Sequence, residues 1–286
     1  MYLTQQVRAL VRPWWHRRRS AVAFRKLGGW MPTQPDLPGP VLYDIGARWG
    51  ASPPYDRLAE VAGFRSVAFE PDTKEAEKLR QDQAFNYVCP VALGGKVGKR
   101  TLYIARDPGS SSLFQPNPAE FARHTTWRGF ETIGELEVPV EPLDGAIARH
   151  ELPPPDYLKI DCEGAEGEIL EGASHALDGL CGLTFEARLR NFYMAESETL
   201  PQLLDRMFKR DFVCLRLDPV GAWLGAVMMF DAVMVRHPGK ILDRRQFVLC
   251  LLFCLLHGNW AYALHMAELR ARHFDCAETL RILGLA

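Results

Sequence analysis

The densest chemistry in the sequence lies in DYLKIDCEGAEGEIL, residues 156–170. An apolar run ends there in Asp161, and Glu163, Glu166 and Glu168 follow around two glycines. The pattern reads as a buried strand, a tight turn at Gly164 and a helix starting near Ala165. A helix N-terminus favours nearby carboxylates by about 0.3–1 kcal/mol each, which offsets part of the repulsion at Glu163 and Glu166. Glu168 and Glu171 fall on the solvated side of that helix. Three roles are open for the cluster. One carboxylate among Asp161, Glu163 and Glu166, its pKa raised by its neighbours, acts as general base toward an acceptor hydroxyl. Alternatively, Asp161, Glu163 and Glu186, the last at the next strand end, hold a divalent cation such as Mg2+. Or the acids only cap the helix and bind an ammonium group. Lys159, on the same strand, either pairs with a neighbouring acid or takes a direct part.

A second motif, DIGARWG (residues 44–50), follows the first strand. Gly46 and Gly50 let a ligand approach the main chain. Asp44 puts a carboxylate where a phosphate-binding loop rarely has one. A cationic ligand suits it, such as the sulfonium and amino group of S-adenosylmethionine. Glu70, twenty-four residues after Gly46, ends the second strand. An acid there is placed to accept hydrogen bonds from both hydroxyls of a ribose. Arg48 stands where a GxGxxG motif would have another glycine, which disfavours NAD. Either acid alone reads equally as a polar strand end; the pair at successive strand ends points to an adenosine ligand.

These residues need elements to hold them. Strand patterns occur at 41–45, 66–71, 86–94, 100–106, 135–141, 155–161, 182–189, 212–218 and 228–237. Helix patterns at 55–63, 73–84, 165–177 and 197–211 alternate with them, with Pro201 in a first turn where proline is tolerated. This order predicts an α/β fold with a doubly wound, Rossmann-like, mostly parallel sheet. The last two strands, with no helix between, predict an antiparallel hairpin at the sheet edge. Residues 107–135 read as a long loop, and such loops often carry substrate contacts. His124, Trp127 and Arg128 in that loop are the side chains expected to touch an acceptor. Glu186, Arg188 and Arg190 lie at the end of the strand expected at 182–189, where the arginines suit an anionic group and a solvated basic loop is the equal alternative. The chain divides into a basic arm (1–40), an α/β domain (41–238) and a helical extension (239–286).

Charge is unevenly spread. Residues 1–30 hold seven Arg or Lys and no acid, which leaves 27 basic against 35 acidic residues in the rest. The arm mixes apolar and basic residues around Trp14 and Trp15, which suits an anionic membrane surface or a presequence. A helix packed on the body is the other reading. The acidic body disfavours nucleic acid as a partner. Seven cysteines without a CxxC predict reduced thiols and a cytoplasmic protein, peripheral to a membrane at most. The run FVLCLLFCLL is ten residues, about half of what a bilayer needs, and reads as a buried helix. Cys250, Cys254 and His257 share a helix face, which raises the thought of a metal, but such cysteines are usually small hydrophobes. The C-terminal helices are the surface expected to meet a second copy or another partner.

The stretch from about 41 to 236 resembles the FkbM-type methyltransferases, a class I S-adenosylmethionine-dependent family. VLYDIGARWG, VAFEPD, PVALGG, GSSSL, VPVEPLD and above all DYLKIDCEGAEGEILEGA carry the resemblance, in that order and spacing. The family usually has Ala-Asn after the first motif glycine; here Ala47 is followed by Arg48. The resemblance implies methyl transfer from S-adenosylmethionine, usually to a hydroxyl on a sugar, polyketide or lipid-linked glycan. It implies that Asp44, Gly46, Ala47 and Gly50 hold the methionine portion, that Glu70 holds the ribose, and that Ala92 and Leu93 lie near the adenine. The alternative is a non-catalytic scaffold that keeps the fold and works through its C-terminal helices.

Overall fold

The computed structural model describes residues 2–124, 127–220, 222–223 and 226–284, and for residues 2–15, 124, 127, 222–223 and 226–227 the backbone alone. Ten strands build the two sheets that matter for the site: β1 (Val41–Ile45), β2 (Arg65–Phe69), β3 (Tyr87–Cys89), β4 (Ala92–Leu93), β5 (Gly98–Ala105), β6 (Thr132–Glu141), β7 (Tyr157–Ile160), β8 (Gly182–Arg188), β9 (Phe212–Pro219) and β10 (Met229–Arg236). The central sheet runs β3-β2-β1-β7-β8-β10-β9. Its first five strands are mutually parallel, and β10 is antiparallel to both neighbours. The expected hairpin is therefore present, with its second strand inserted between β8 and the edge strand β9.

Period-two alternation explains how both faces bury. Val41, Tyr43 and Ile45 enter one core cluster, and Leu42 enters the other. The first face is covered by α4 (Leu143–Arg149), α5 (Glu166–Glu171), α6 (Ser174–Gly179) and α7 (Leu200–Lys209). The single helix expected at 165–177 is two helices, and Gly172, at the break, packs against the carbonyl of Gly94 and the ring of Pro142. The helix expected at 55–63 is a 3-10 helix, Tyr55–Glu60. Near Glu70, α2 (Thr73–Gln81) is capped by Asp72, whose side chain accepts from the Lys74 amide at 3.0 Å.

The opposite face carries α1 (Tyr2–Trp30), α8 (Arg244–Leu256), α9 (Trp260–Arg270) and α10 (Ala277–Ile282). FVLCLLFCLL is buried along its whole length because α8 lies between the sheet and its helical neighbours. Ala23, Phe24 and Leu27 of α1 join the same core. From Ser20 onward the basic segment is thus part of the helical layer, with Arg25 and Lys26 facing outward. The Cys250 and Cys254 side chains are enclosed in that core, and the His257 ring packs on Tyr55 and Phe253. Among the described residues no metal-ligand grouping includes them. None of the described helices is long and apolar enough to cross a membrane.

The strand expected over 86–94 divides at Pro90. Residues 87–89 form the edge of the central sheet, and Ala92–Leu93 pair with β6 in a second sheet ordered β4-β6-β5. Between β5 and β6 the chain makes the excursion that contains α3 (Pro118–His124) and a 3-10 turn, Trp127–Phe130.

Candidate active site

The chain leaves β1 toward β2 and leaves β7 toward β8, so the connections diverge between two paired strands. Crevices at such reversals are where open α/β sheets bind ligands. A cleft of about 420 Å³ opens there. One wall is Gly46, Arg48, Trp49 and Gly50, in the loop after β1; Phe69 and Glu70 close the end of β2. Val91, Ala92, Leu93, Leu102 and Leu113 make an apolar side, and Lys159, Asp161 and Cys162 form the end at β7. Gly46 and Gly50 adopt φ of 85° and 86°, conformations that favour glycine. A Cβ on Gly46 would run into the Asp161 carbonyl, so glycine is what lets the two motif loops meet.

Four sequence expectations need correction. Asp44 does not line the cleft. It is fully buried, with Lys159 Nζ 3.0 Å from its Oδ1, and the ammonium also lies 3.5 Å from Asp161 Oδ2. The Asp44–Lys159 ion pair lies within the strand pair, out of reach of the cleft's solvent on the Asp44 side. Burial pushes the Asp44 carboxyl up to about 6, against the pull of Lys159. The cleft therefore meets a lysine where the sequence suggested an acid. Ala47 is also absent from the cleft. It packs with Ala68, Leu79 and Phe85, and its amide donates to the Phe69 carbonyl at 3.4 Å.

Glu166 is the third correction. Its oxygens accept from the Cys162 and Gly164 amides at 3.0 and 2.9 Å, so it braces the turn rather than facing a ligand. Burial raises its pKa to about 7, and the amide bonds oppose that rise. The braced turn is tight: Glu163 has φ 54°, and Gly164 has no room for a side chain beneath Tyr193. Such a conformation at a non-glycine residue costs of order 1 kcal/mol or more and needs support from its surroundings.

Arg188 supplies that support and is the fourth correction. It is 6% exposed and pairs with Glu163, with Glu186 Oε1 at 3.8 Å. The Tyr193 hydroxyl reaches the same Glu163 oxygen at 3.3 Å. Arg188 is thus an internal counter-ion and not an exposed anion binder. Burial drives the carboxyls of Glu163 and Glu186 up, and the guanidinium beside them opposes this. Asp161, Glu163 and Glu186 can each bring an oxygen within 4.8 Å of the others, as a cation site requires. However, Glu163 is already taken by Arg188 and Tyr193, so the donor set carries a fixed cation and does not fit Mg2+.

Asp161 remains as the acid at the β7 end of the cleft, with a side chain 41% exposed. Glu70 keeps its place at the β2 end; its Oε1 accepts from the Asp72 amide at 2.8 Å. Ala92 and Leu93 face the cleft as expected. Arg128 is exposed, Arg190 lies 3.8 Å from Glu120, and the side chains of His124 and Trp127 fall outside the described residues. The sequence reading missed Asp231. It lies on β10 opposite both Glu186 and Asp218. Burial, with the charges of Asp161 and Asp218, pushes its pKa up to about 6. An acid breaking the apolar run MMFDAVMV was the available signal. Ser112 was also missed as a brace; its hydroxyl donates to the Glu163 carbonyl at 2.6 Å.

The description "Methyltransferase FkbM domain" matches residues 44–214, more than half of the chain. The chain belongs to the FkbM methyltransferase domain family. No curated protein matches it by sequence. Among solved structures, it is similar to magnesium protoporphyrin IX methyltransferase from Synechocystis PCC 6803 with bound SAM, at 12% identity and a TM-score of 0.37, over 77% of this chain and 80% of that one. It is also similar to 1,6-didemethyltoxoflavin-N1-methyltransferase from Burkholderia thailandensis, with bound 1,6-didemethyltoxoflavin and S-adenosylhomocysteine, at 15% identity and a TM-score of 0.34, over 75% and 78% of the two chains.

Proposed function

We propose that this chain is an S-adenosylmethionine-dependent methyltransferase that methylates a hydroxyl of a sugar, glycan or related natural product. The observation that carries the reading is one cleft with Glu70 at one end, an apolar side between, and Asp161 at the other end. Its volume of about 420 Å³ lies within the ~300–1,000 Å³ usual for small-molecule sites. Glu70 would accept the ribose hydroxyls, and Ala92, Leu93 and Leu102 would bury the adenine. Lys159, which lines the cleft, offers an ammonium to the methionine carboxylate. Bound there, S-adenosylmethionine supplies an electrophilic methyl group on a sulfonium. Asp161 would accept the proton of the acceptor hydroxyl as the hydroxyl oxygen gains that methyl, and S-adenosylhomocysteine would be the leaving group. Lys159 Nζ, 3.5 Å from Asp161 Oδ2, would help to orient that carboxylate. The hydroxyl acceptor rests on family membership, and the exposed Asp161 is the side chain that suits it. A scaffold that had lost catalysis would have no need to keep both acids on an open cleft.

Calorimetric titration with S-adenosylhomocysteine tests the reading. Micromolar binding is expected, and Glu70→Ala should weaken it by about 100-fold, since the truncated site loses a charged partner of two hydroxyls. Equal binding by both proteins, or none by folded wild type, would refute it.

A further inference from the structure

Arg48 lies in the loop after β1 and lines the cleft. Its guanidinium is 12% exposed and joins two walls of the cleft. Nη2 donates to Asp72 Oδ2 at 3.0 Å, and Nε lies 3.9 Å from Glu70 Oε2. Nη1 donates to the Pro108 carbonyl at 3.3 Å. The first two partners belong to the ribose-side wall; the third belongs to the segment 107–111 after β5.

That segment is a compact turn. Asp107 Oδ1 accepts from the Gly109 amide at 3.2 Å, and the Ser111 hydroxyl donates to the Pro108 carbonyl at 2.8 Å. Pro108, Gly109 and Ser111 all line the cleft. Trp49, next to Arg48, has 73% of its surface exposed, yet its ring lies so close to Gly109 that any side chain there would overlap it. The turn thus lines the cleft and is held to the β1 loop by one guanidinium and one indole. A planar fork with separate, pre-oriented N–H donors suits a carboxylate on one side and a carbonyl on the other.

We infer that Arg48 is a cofactor-positioning residue, which braces the ribose-side wall against the 107–111 turn and so sets how fast the adenosyl ligand leaves. The inference rests on the methyl-donor reading above. The brace holds Glu70 from one side through Asp72 and charge. From the other side it keeps Pro108 and Gly109 in the cleft lining. Dissociation must part these walls, whereas the chemistry at Asp161 lies at the far end.

The test compares wild type with Arg48→Gln, Arg48→Lys and Gly109→Ala, each first shown by thermal melting to be folded. Hydrogen exchange is measured on the cofactor-free proteins, and S-adenosylhomocysteine release by stopped-flow displacement. Arg48→Gln should speed exchange in residues 107–112 by about fivefold while leaving the central strands unchanged. It should speed ligand release by about tenfold with association altered less than about twofold. Arg48→Lys should fall between, because it keeps a positive charge near Asp72 but replaces the pre-organised fork with a compact point charge on a flexible stem. Gly109→Ala, which pushes the turn from Trp49, should move both readouts in the same direction. Unchanged exchange and release in Arg48→Gln would overturn the inference while the methyl-donor reading stood. Failure of wild type itself to bind the ligand would overturn both.

Discussion

Asp161→Asn lowers turnover by about 10²–10⁴-fold, the usual weight of a general base, and leaves S-adenosylhomocysteine affinity within about twofold. The asparagine keeps the shape of the side chain at the β7 end but cannot take a proton. Affinity should be spared because, on the proposed placement, the adenosyl contacts would fall to Glu70 and the apolar side of the cleft. Radiolabelled methyl transfer to an acceptor found by screening gives the rate, and calorimetry gives the affinity. Turnover within about threefold of wild type would remove Asp161 from the chemistry and turn attention to Asp231. Glu163→Gln is a poor control for this experiment, because it also removes the charge that Arg188 is paired with.

Arg188→Leu is expected to destabilise the fold by about 3–5 kcal/mol, the cost of breaking a buried ion pair from one side. Glu163 and Glu186 would be left 8% and 11% exposed with no cation between them. Chemical denaturation at neutral pH measures the loss. The pH dependence has a definite sign. Without Arg188 both carboxyls sit well above their unfolded values, so the folded variant binds protons that the unfolded chain releases. Its stability is greatest below the unfolded value of about 4.3 and falls as pH rises through the folded values. The gap to wild type should therefore narrow in acid. A loss under about 1 kcal/mol, or a gap that widens in acid, would show that the network does not hold the turn.

Much of this was legible in the sequence, for physical reasons. Strands buried on both faces read as short apolar runs, and those that end in acids put Glu70 and Asp161 at one sheet edge. α8 was legible because only a helix enclosed on every side can be apolar all round. The FkbM motifs placed the cleft. What escaped was whatever depends on register and reach. Asp44 pairs across the sheet with Lys159, and that register buries the acid behind the lysine. Glu166 reads as a helix-start acid, yet it folds back onto the turn before it. Arg188 continues an apolar strand, and nothing in EARLRNFY says that its side chain turns inward to Glu163. For the arm the sequence allowed a packed helix as one reading among others: of its described side chains, buried Ala23, Phe24 and Leu27 alternate with outward Arg25 and Lys26, and the arginines dominate the composition.

The most direct test of the central claim is a crystal structure of this protein grown with S-adenosylhomocysteine. The account predicts the ribose hydroxyls on Glu70, the adenine against Ala92 and Leu93, and the sulfur turned toward Asp161, with Lys159 near the carboxylate. A ligand bound elsewhere, or lying in this cleft with its sulfur away from Asp161, would contradict it.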